Sequence, residues 1–234
     1  MRTPLSIAAA QPLCVPYDVA ANAVTHAAAV RDAEARVVVF PELSLTGYEL
    51  DAPAITPRDP RLEPIIEACA DAGSLAVAGA PVPGEEGHPY IAMLAIDGAG
   101  VAVAYRKMWL GEAEAERFSA GAKPAILVAD GWRLGLAICK DTGIAQHASD
   151  TAALGIDVYL AATLEHEGEA TVQAERARRV AREHQVWVAL ASFAGSAGGG
   201  YTRAAGRSGI WTPDGALLAQ AGPEAGAIAR AVLG

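Results

Sequence analysis

Three residues of this sequence carry side chains suited to nucleophilic chemistry, and each closely follows an apolar run: Glu42, Lys107 and Cys139. A carboxylate that leaves a buried strand has a raised pKa through desolvation, so Glu42 is suited to proton transfer. A lysine at a strand end, such as Lys107, can stabilise a developing oxyanion or hold a thiolate in its charged form. A thiolate at Cys139 would be the nucleophile of such a site.

Taken singly, each of these residues also has an explanation without chemistry. Glu42 fits an ordinary solvated loop glutamate, Lys107 fits a surface lysine whose stem covers apolar surface, and Cys139 fits a small core residue. Cys139 has one further feature, because a helix is predicted to begin a few residues later, near Gly143. A thiol near a helix N-terminus meets the positive end of the helix dipole, so the sequence predicts a stabilised thiolate at Cys139.

The other two cysteines are predicted to be structural. Cys69 lies on the apolar face of a predicted helix, and Cys14 lies in a loop flanked by proline. Three widely separated cysteines make neither a disulfide framework nor the paired spacing of a zinc site. Free thiols are typical of a reducing compartment, and we therefore expect a cytoplasmic protein.

Composition narrows the class of protein further. The chain has 234 residues, a formal net charge of −9, 52% hydrophobic and 19% charged residues. These values favour a folded core over disorder, and the negative charge argues against nucleic acid as a partner. No apolar run is long enough to cross a membrane, and the short run at 5–11 is interpreted as a first strand rather than a signal peptide.

Short apolar runs alternate with longer amphipathic segments along the chain. Strands are predicted at 5–11, 36–40, 74–81, 90–97, 101–105, 126–129, 132–138, 156–161, 186–192, 208–212, 217–220 and 227–232. Helices are predicted at 18–34, 62–72, 144–154 and 169–184, and a glycine-rich loop at 195–200. This alternation, with interspersed hairpins, predicts an α/β fold with mixed sheets covered by helices. Neither a linker nor a repeat is evident, so we predict one domain over residues 1–234.

The chain as a whole resembles the nitrilase superfamily of carbon–nitrogen hydrolases, in its amidase-like branch. The resemblance covers nearly the whole length and consists of short strings that are weak singly but occur in the right order and at suitable separations. These strings are Pro41-Glu42-Leu43, Thr46-Gly47-Tyr48, Tyr105-Arg106-Lys107, Phe118 with Gly121, Gly135-Leu136-Ala137-Ile138-Cys139, Leu154-Gly155-Ile156-Asp157-Val158, Arg176-Ala177-Arg178, Gly206-Arg207-Ser208 and Pro213-Asp214-Gly215.

The resemblance implies a fold and a catalytic triad. The fold would be a four-layer α-β-β-α sandwich of two mixed β-sheets flanked by helices. Glu42 would be the general base, Cys139 the nucleophile that forms a thioester, and Lys107, with the backbone N–H of Lys140, would stabilise the tetrahedral intermediate. Neither a metal nor an organic cofactor is implied.

Further site residues follow from the same resemblance. Many members of the superfamily carry a second glutamate between the lysine and the cysteine, and the distance to Phe118 and Gly121 favours Glu114 over Glu112 and Glu116. Substrate contacts are predicted for Tyr48, Lys140 and Thr163. The side chain of Lys140 indicates either a substrate that bears a carboxylate or an ion pair with Asp141, and the ion pair is preferred.

The predicted activity is hydrolysis of a small carboxamide or an N-carbamoyl compound through an acyl-enzyme. Nitrile hydrolysis by the same triad is one alternative, and a catalytically silent scaffold that binds a metabolite is another. The expected partner is a small-molecule amide, with no nucleic acid and no membrane. The resemblance also implies a homodimer or higher homo-oligomer. The apolar C-terminal strands and Trp211 are candidates for the contact, and a place in the core is the equal alternative for Trp211.

Overall fold

The computed structural model describes residues 2–84 and 87–234. Its helices are α1 Val19–Ala33, α2 Glu63–Ala72, α3 Glu112–Ala115, α4 Ala145–Ala152 and α5 Ala170–His184. Its strands are β1 Leu5–Ala10, β2 Val37–Val39, β3 Leu75–Val82, β4 Tyr90–Asp97, β5 Gly100–Arg106, β6 Ile126–Ala129, β7 Trp132–Ile138, β8 Val158–Thr163, β9 Trp187–Ser192, β10 Ala194–Gly195, β11 Ala204–Ala205, β12 Gly209–Trp211, β13 Leu217–Gln220 and β14 Ile228–Leu233.

These strands form two six-stranded mixed sheets. The first has the order β14-β1-β2-β3-β4-β5, and the second has the order β13-β12-β9-β8-β7-β6. Strands β1, β2 and β3 are parallel in the first sheet, β7, β8 and β9 are parallel in the second, and the other neighbours are antiparallel. Strand β4 is antiparallel to β3, and β5 is antiparallel to β4, so β5 runs in the same direction as β2 and β3. The C-terminal ends of β2 and β5 therefore lie at the same edge of the first sheet.

Alternation of side chains along the strands creates three apolar cores. In β2, Val37 and Val39 pack into the core between the two sheets, whereas Val38 packs into the core that contains α1 and α2. In β7, Leu136 faces the core between the sheets and Ala137 faces the core that contains α4 and α5. The sheets are therefore the two inner layers and the helices the two outer layers. The predicted four-layer α-β-β-α sandwich is confirmed.

Most predicted elements are confirmed to within two residues at each end. Asp18 caps α1 as predicted, since its side chain accepts a hydrogen bond from the backbone N–H of Ala21. Two differences matter for the site. A 3-10 helix, Cys139–Gly143, starts directly at the end of β7, and α4 begins only at Ala145.

Close packing fixes the turn that carries Glu42. This turn follows β2 and lies directly on Gly79 of β3, where an added Cβ would approach the backbone N of Leu43 to 2.3 Å and the backbone O of Pro41 to 2.5 Å. Such distances are too short for any side chain, so glycine at position 79 allows the turn to sit against the sheet. Packing against β3 therefore holds the loop that carries Glu42 in place.

For Trp211 the sequence left open a dimer contact and a place in the core, and the structure places its side chain in a core. It is 1% exposed and packs with residues of α5 and β8. The indole therefore stabilises the fold of the chain itself. Within the described part of the chain, no helix combines the length and the apolar character that a membrane crossing requires.

Candidate active site

Glu42 is fully buried at the end of β2. Its Oε1 lies 2.6 Å from Lys107 Nζ, and its exposed fraction is 0%. Burial raises the pKa of Glu42 to about 8, against the lowering effect of the Lys107 ammonium. The second oxygen, Oε2, is buried without a hydrogen-bond partner of standard geometry among the described residues, although the Cys139 thiol is close enough to lower the same pKa. Oε2 is therefore the oxygen available to accept a proton.

Lys107 lies between two carboxylates. It directly follows β5, is 1% exposed, and its Nζ also lies 2.7 Å from Oε1 of Glu114. Burial alone would lower the pKa of Lys107, but the nearby Glu42, Cys139 and Glu114 outweigh this effect and raise it. The side chain is consequently a fixed ammonium group at the base of the site.

Glu114 is the second glutamate of the site, as the sequence spacing to Phe118 and Gly121 predicts. It lies on the short helix α3, where its Oε2 accepts a hydrogen bond from the backbone N–H of Gly111 at 2.7 Å. The hydroxyl of Tyr48 donates to its Oε1 at 3.4 Å. Glu112 is exposed on the same helix and Glu116 is exposed just after it. Of the three candidates, only Glu114 contacts Lys107 within the described structure.

Cys139 occupies a strained position between β7 and the 3-10 helix. Its φ is 44°, in the left-handed region that residues other than glycine rarely adopt. The Sγ atom lies 3.4 Å from the carbonyl O of Leu164, and the residue is partly exposed. This conformation turns the thiol out of the strand direction and toward Glu42 and Lys107, both of which influence its pKa.

The prediction of a stabilised thiolate is wrong for the resting site. Burial, and then the Glu42 carboxylate, raise the pKa of Cys139 well above its usual value, and the lowering effect of Lys107 does not compensate. The helix predicted to begin near Gly143 is α4, which begins at Ala145, and the 3-10 turn that starts at Cys139 separates it from the thiol. The thiol is therefore protonated at rest, and a base must remove its proton.

A cleft of about 300 Å³ opens at the cysteine. Its lining includes Tyr48, Lys107, Glu114, Cys139, Lys140 and Tyr201. Two of these are aromatic, and the rings of Tyr48 and Tyr201 meet edge to face with centroids 5.5 Å apart. Tyr201 follows the predicted glycine-rich loop and was not singled out from the sequence. Its ring also stacks on His166 at 4.4 Å, which fixes one wall of the cleft.

The preferred ion pair between Lys140 and Asp141 does not form. The Lys140 ammonium donates a hydrogen bond to the carbonyl O of Leu110 at 2.6 Å, and it lines the cleft. Asp141 is 0% exposed and accepts hydrogen bonds from Tyr105 and from two backbone amides. Successive residues of the 3-10 turn point in different directions, so the two charges separate.

Thr163 is the one predicted substrate contact that lies away from the cleft lining. It is the last residue of β8 and is 1% exposed. Its hydroxyl donates to Oε1 of Gln173 at 3.1 Å, and it lies 3.3 Å from the carbonyl O of Ala191. These contacts give it a role in joining β8 to α5 and β9. No group of His, Cys, Asp and Glu in the described ranges is arranged to hold a metal ion.

Comparison with known proteins identifies the family of this chain. The model of the carbon-nitrogen hydrolase family matches residues 6–232, and the chain therefore belongs to this family. A curated protein of Pseudomonas protegens, described as a hydrolase in the 5′ region of pqqF, is 33% identical in an alignment of 219 residues that covers 88% of this chain and 75% of that protein.

Solved structures of the superfamily share the fold. Nit3 of Saccharomyces cerevisiae, a member of branch 10 of the nitrilase superfamily, superposes with a TM-score of 0.86 at 23% identity, over 98% of this chain and 90% of that one. An amidase from Nesterenkonia sp. superposes with a TM-score of 0.85 at 24% identity, over 100% and 92% of the two chains. A variant of the Nesterenkonia amidase shows covalent addition of the acetamide moiety of fluoroacetamide at its active site cysteine, with a TM-score of 0.85 at 24% identity over 98% and 90% of the chains.

The burial of Lys107 between two carboxylates leads to a prediction about stability. Lys107→Met is expected to lower the free energy of unfolding by about 3 kcal/mol near pH 8, because Glu42 and Glu114 would remain buried without their cation. The loss should be smaller near pH 5, where Glu42, whose pKa is raised to about 8 by burial even in the wild type, can take up a proton in the folded variant. Urea denaturation of wild type and variant at both pH values measures the difference, with Lys123→Met, an exposed lysine, as the control. Equal losses at both pH values would contradict the proposed charge balance.

Proposed function

We propose that this protein is a cysteine-dependent amidase that hydrolyses the carbon–nitrogen bond of a small carboxamide or N-carbamoyl compound. One observation carries the proposal: a buried Glu42–Lys107 pair with an N–O distance of 2.6 Å lies beside the Cys139 thiol in a small cleft. This set contains a base, a fixed positive charge and a nucleophile, which are the groups that acyl transfer requires.

The first half of the reaction forms an acyl-enzyme. Oε2 of Glu42 takes the proton of Cys139, and the sulfur forms a bond to the carbonyl carbon of the amide. The tetrahedral oxyanion is stabilised by the Lys107 ammonium and by the backbone N–H of Lys140. The carbon–nitrogen bond then breaks, and the nitrogen leaves as ammonia or an amine with the proton that Glu42 held.

The second half regenerates the enzyme. Glu42 removes a proton from water, and the resulting hydroxide attacks the thioester carbon, again with the oxyanion beside Lys107. The carbon–sulfur bond breaks, the carboxylic acid leaves, and Cys139 recovers its proton from Glu42. Throughout the cycle Glu114 balances the charge of Lys107, so the ammonium keeps its position while Glu42 gains and loses a proton.

The structural relatives support this choice of reaction. The amidase from Nesterenkonia sp. shares the fold over nearly the whole chain, and its variant with covalently added acetamide moiety carries the group on a cysteine. That adduct keeps its amide nitrogen and so differs from the thioester proposed here, but it supports a nucleophilic cysteine in this kind of site.

The side chain of Lys140 favours a substrate that bears a carboxylate. Its ammonium lines the cleft and, in the described structure, has no carboxylate partner within ion-pair distance. Glu112 lines the same cleft, and its charge opposes part of this attraction. Lys140 directly follows the nucleophile, so the same 3-10 turn positions both Cys139 and the cation.

The nucleophile is tested with an amide panel. Wild type is expected to release ammonia from at least one member of a panel of small amides, N-carbamoyl amino acids and nitriles, and to show an acyl mass adduct on Cys139. Cys139→Ala should lower the rate at least about 1,000-fold with the circular dichroism spectrum unchanged. Cys69→Ala, which removes a buried thiol of α2, is the matched control and should retain turnover. Turnover by Cys139→Ala would refute the nucleophile, whereas ammonia from nitriles alone would favour the nitrilase alternative.

The raised pKa of Glu42 predicts the pH dependence. Because the base must be ionised and its pKa is about 8, kcat/KM should rise about tenfold per pH unit below pH 8 and level off above it. The Cys139 thiol, with a pKa raised well above its usual value, does not titrate in this range. Initial rates from about pH 5.5 to 9.5, with circular dichroism at each pH as the control for folding, measure the profile. A profile that stays flat over this whole range, as a base with the ordinary glutamate pKa of 4.5 would give, would show that Glu42 is not the base in a desolvated site.

Substrate charge is tested with a matched pair of amides. Succinamate and succinamide differ only in the replacement of a carboxylate by a carboxamide. The ratio of their kcat/KM values, succinamate over succinamide, is expected to fall about tenfold in Lys140→Met, since one close charge interaction is lost. Lys123→Met, at an exposed site outside the cleft, should leave the ratio unchanged. An unchanged ratio in Lys140→Met would exclude Lys140 as the carboxylate contact.

A further inference from the structure

A chain of buried polar side chains lies next to the nucleophile and is not used by the reaction steps above. It consists of Asp141 in the 3-10 turn, Tyr105 in β5, His147 in α4 and Tyr159 in β8. The exposed fractions are 0% for Asp141 and His147, 2% for Tyr105 and 1% for Tyr159. Buried polar groups of this number require satisfied hydrogen bonds, since each unpaired group costs about 1–3 kcal/mol.

One arrangement of protons gives each of these four side chains its hydrogen-bond partners. The Tyr105 hydroxyl lies 2.8 Å from Oδ2 of Asp141 and 2.9 Å from Nε2 of His147, and the Tyr159 hydroxyl lies 2.9 Å from Nδ1 of the same imidazole. Tyr105 has one proton, which it donates to the carboxylate, so His147 donates from Nε2 to Tyr105 and accepts at Nδ1 from Tyr159. This assignment requires a neutral imidazole, in agreement with the pKa of His147, which burial lowers.

Asp141 also binds the backbone at two places that matter for the site. Its Oδ2 accepts from the N–H of Ile138 at 2.9 Å, and its Oδ1 accepts from the N–H of Trp109 at 3.0 Å. Ile138 directly precedes the nucleophile, and Trp109 lies two residues after Lys107. One carboxylate group therefore ties the end of β7 in the second sheet to the segment after β5 in the first sheet.

From this geometry we infer that Asp141 is a positioning residue, which holds the Cys139 thiol at the correct distance from Lys107 and Glu42 through Tyr105 and the two backbone amides. The inference rests on the proposed function, because it assigns a role in that reaction. The strained φ of Cys139 explains why the hydrogen bonds of Asp141 to the backbone matter. The backbone at residue 139 needs external hydrogen bonds to stay in the left-handed region. Thr142 supplies one of them, from its hydroxyl to the carbonyl O of Cys139 at 2.7 Å, and Asp141 supplies the other through Ile138.

If these hydrogen-bonded side chains had a purely structural role, a different experimental result would be expected. Tyr105 and Tyr159 are both buried tyrosines whose hydroxyls bond to His147, but only Tyr105 contacts Asp141. If the chain served stability alone, loss of either hydroxyl would affect activity only to the extent that it affects folding. If Asp141 positions the nucleophile, loss of the Tyr105 hydroxyl should affect the chemical step and loss of the Tyr159 hydroxyl should not.

The experiment compares Tyr105→Phe with Tyr159→Phe in the full chain. Both should lower the melting temperature by a similar amount, since each removes one buried hydroxyl. Tyr105→Phe should lower kcat at least about tenfold and change KM less than about twofold, whereas Tyr159→Phe should change neither by more than about twofold. Asp141→Asn should lower kcat further, because its amide N–H groups would face the donors of Tyr105, Ile138 or Trp109. If this variant does not fold, the comparison of Tyr105→Phe with Tyr159→Phe decides the question.

A second readout does not depend on amide turnover. The rate of Cys139 alkylation by iodoacetamide, followed by intact mass, also depends on where the thiol lies relative to Glu42. Tyr105→Phe should slow this alkylation at least about fivefold and Tyr159→Phe should not. Failure of the proposed function would appear as wild type that alkylates but releases no ammonia. Equal kinetic effects of both variants, in proportion to their losses of stability, would overturn the positioning role of Asp141.

Discussion

The structure of the site depends on one buried ammonium group that is shared between two buried carboxylates. Desolvation of three charged groups would be prohibitive without this arrangement, and Lys107 compensates for it through distances of 2.6 Å to Glu42 and 2.7 Å to Glu114. One cation balances only one anion, so the cluster retains a tendency to bind a proton. Burial raises the pKa of Glu42, and the Glu114 carboxylate adds to this effect, so the pKa is raised despite the close cation. In the proposed reaction Glu42 exchanges protons, and a pKa of about 8 suits it to this role.

The fold brings these groups together by joining the ends of strands from two sheets. Glu42 and Lys107 follow β2 and β5, which end at one edge of the first sheet, and Cys139 follows β7 in the second sheet. The core between the sheets fixes their separation, and Asp141 bonds to backbone from both sides near this edge. A site built from the ends of packed strands has little freedom to adjust, which suits chemistry that depends on short distances.

Local patterns made Glu42, Lys107 and Cys139 candidates, because a polar residue follows an apolar run. The resemblance to the nitrilase superfamily joined them into one site, and its spacing to Phe118 and Gly121 favoured Glu114 over its neighbours. Contacts between distant segments escaped prediction: Tyr201 enters the cleft from a loop, and Asp141 faces Tyr105 rather than Lys140. Directions of side chains in a single 3-10 turn, and the burial of Trp211, depend on packing that periodicity does not encode. The predicted homodimer stays a prediction.

Desolvation also determines where negative charge resides in the site. At rest the thiol is protonated, and Glu42 is largely protonated near neutral pH, so the site carries no excess charge beyond the Lys107–Glu114 pair. Ionisation of Glu42 adds one negative charge to a buried cluster, and transfer of the thiol proton moves this charge onto sulfur. Attack on a carbonyl carbon then moves it to the oxyanion, where Lys107 and the Lys140 N–H lie in the proposed reaction. In the proposed reaction a single negative charge thus passes from carboxylate to sulfur to oxygen, and Lys107, which already lies 2.6 Å from Glu42, is the ammonium group close to all three positions. Because this cation is fixed in place before the reaction starts, the site needs little reorganisation when charge develops on the oxyanion, which is the condition for electrostatic catalysis.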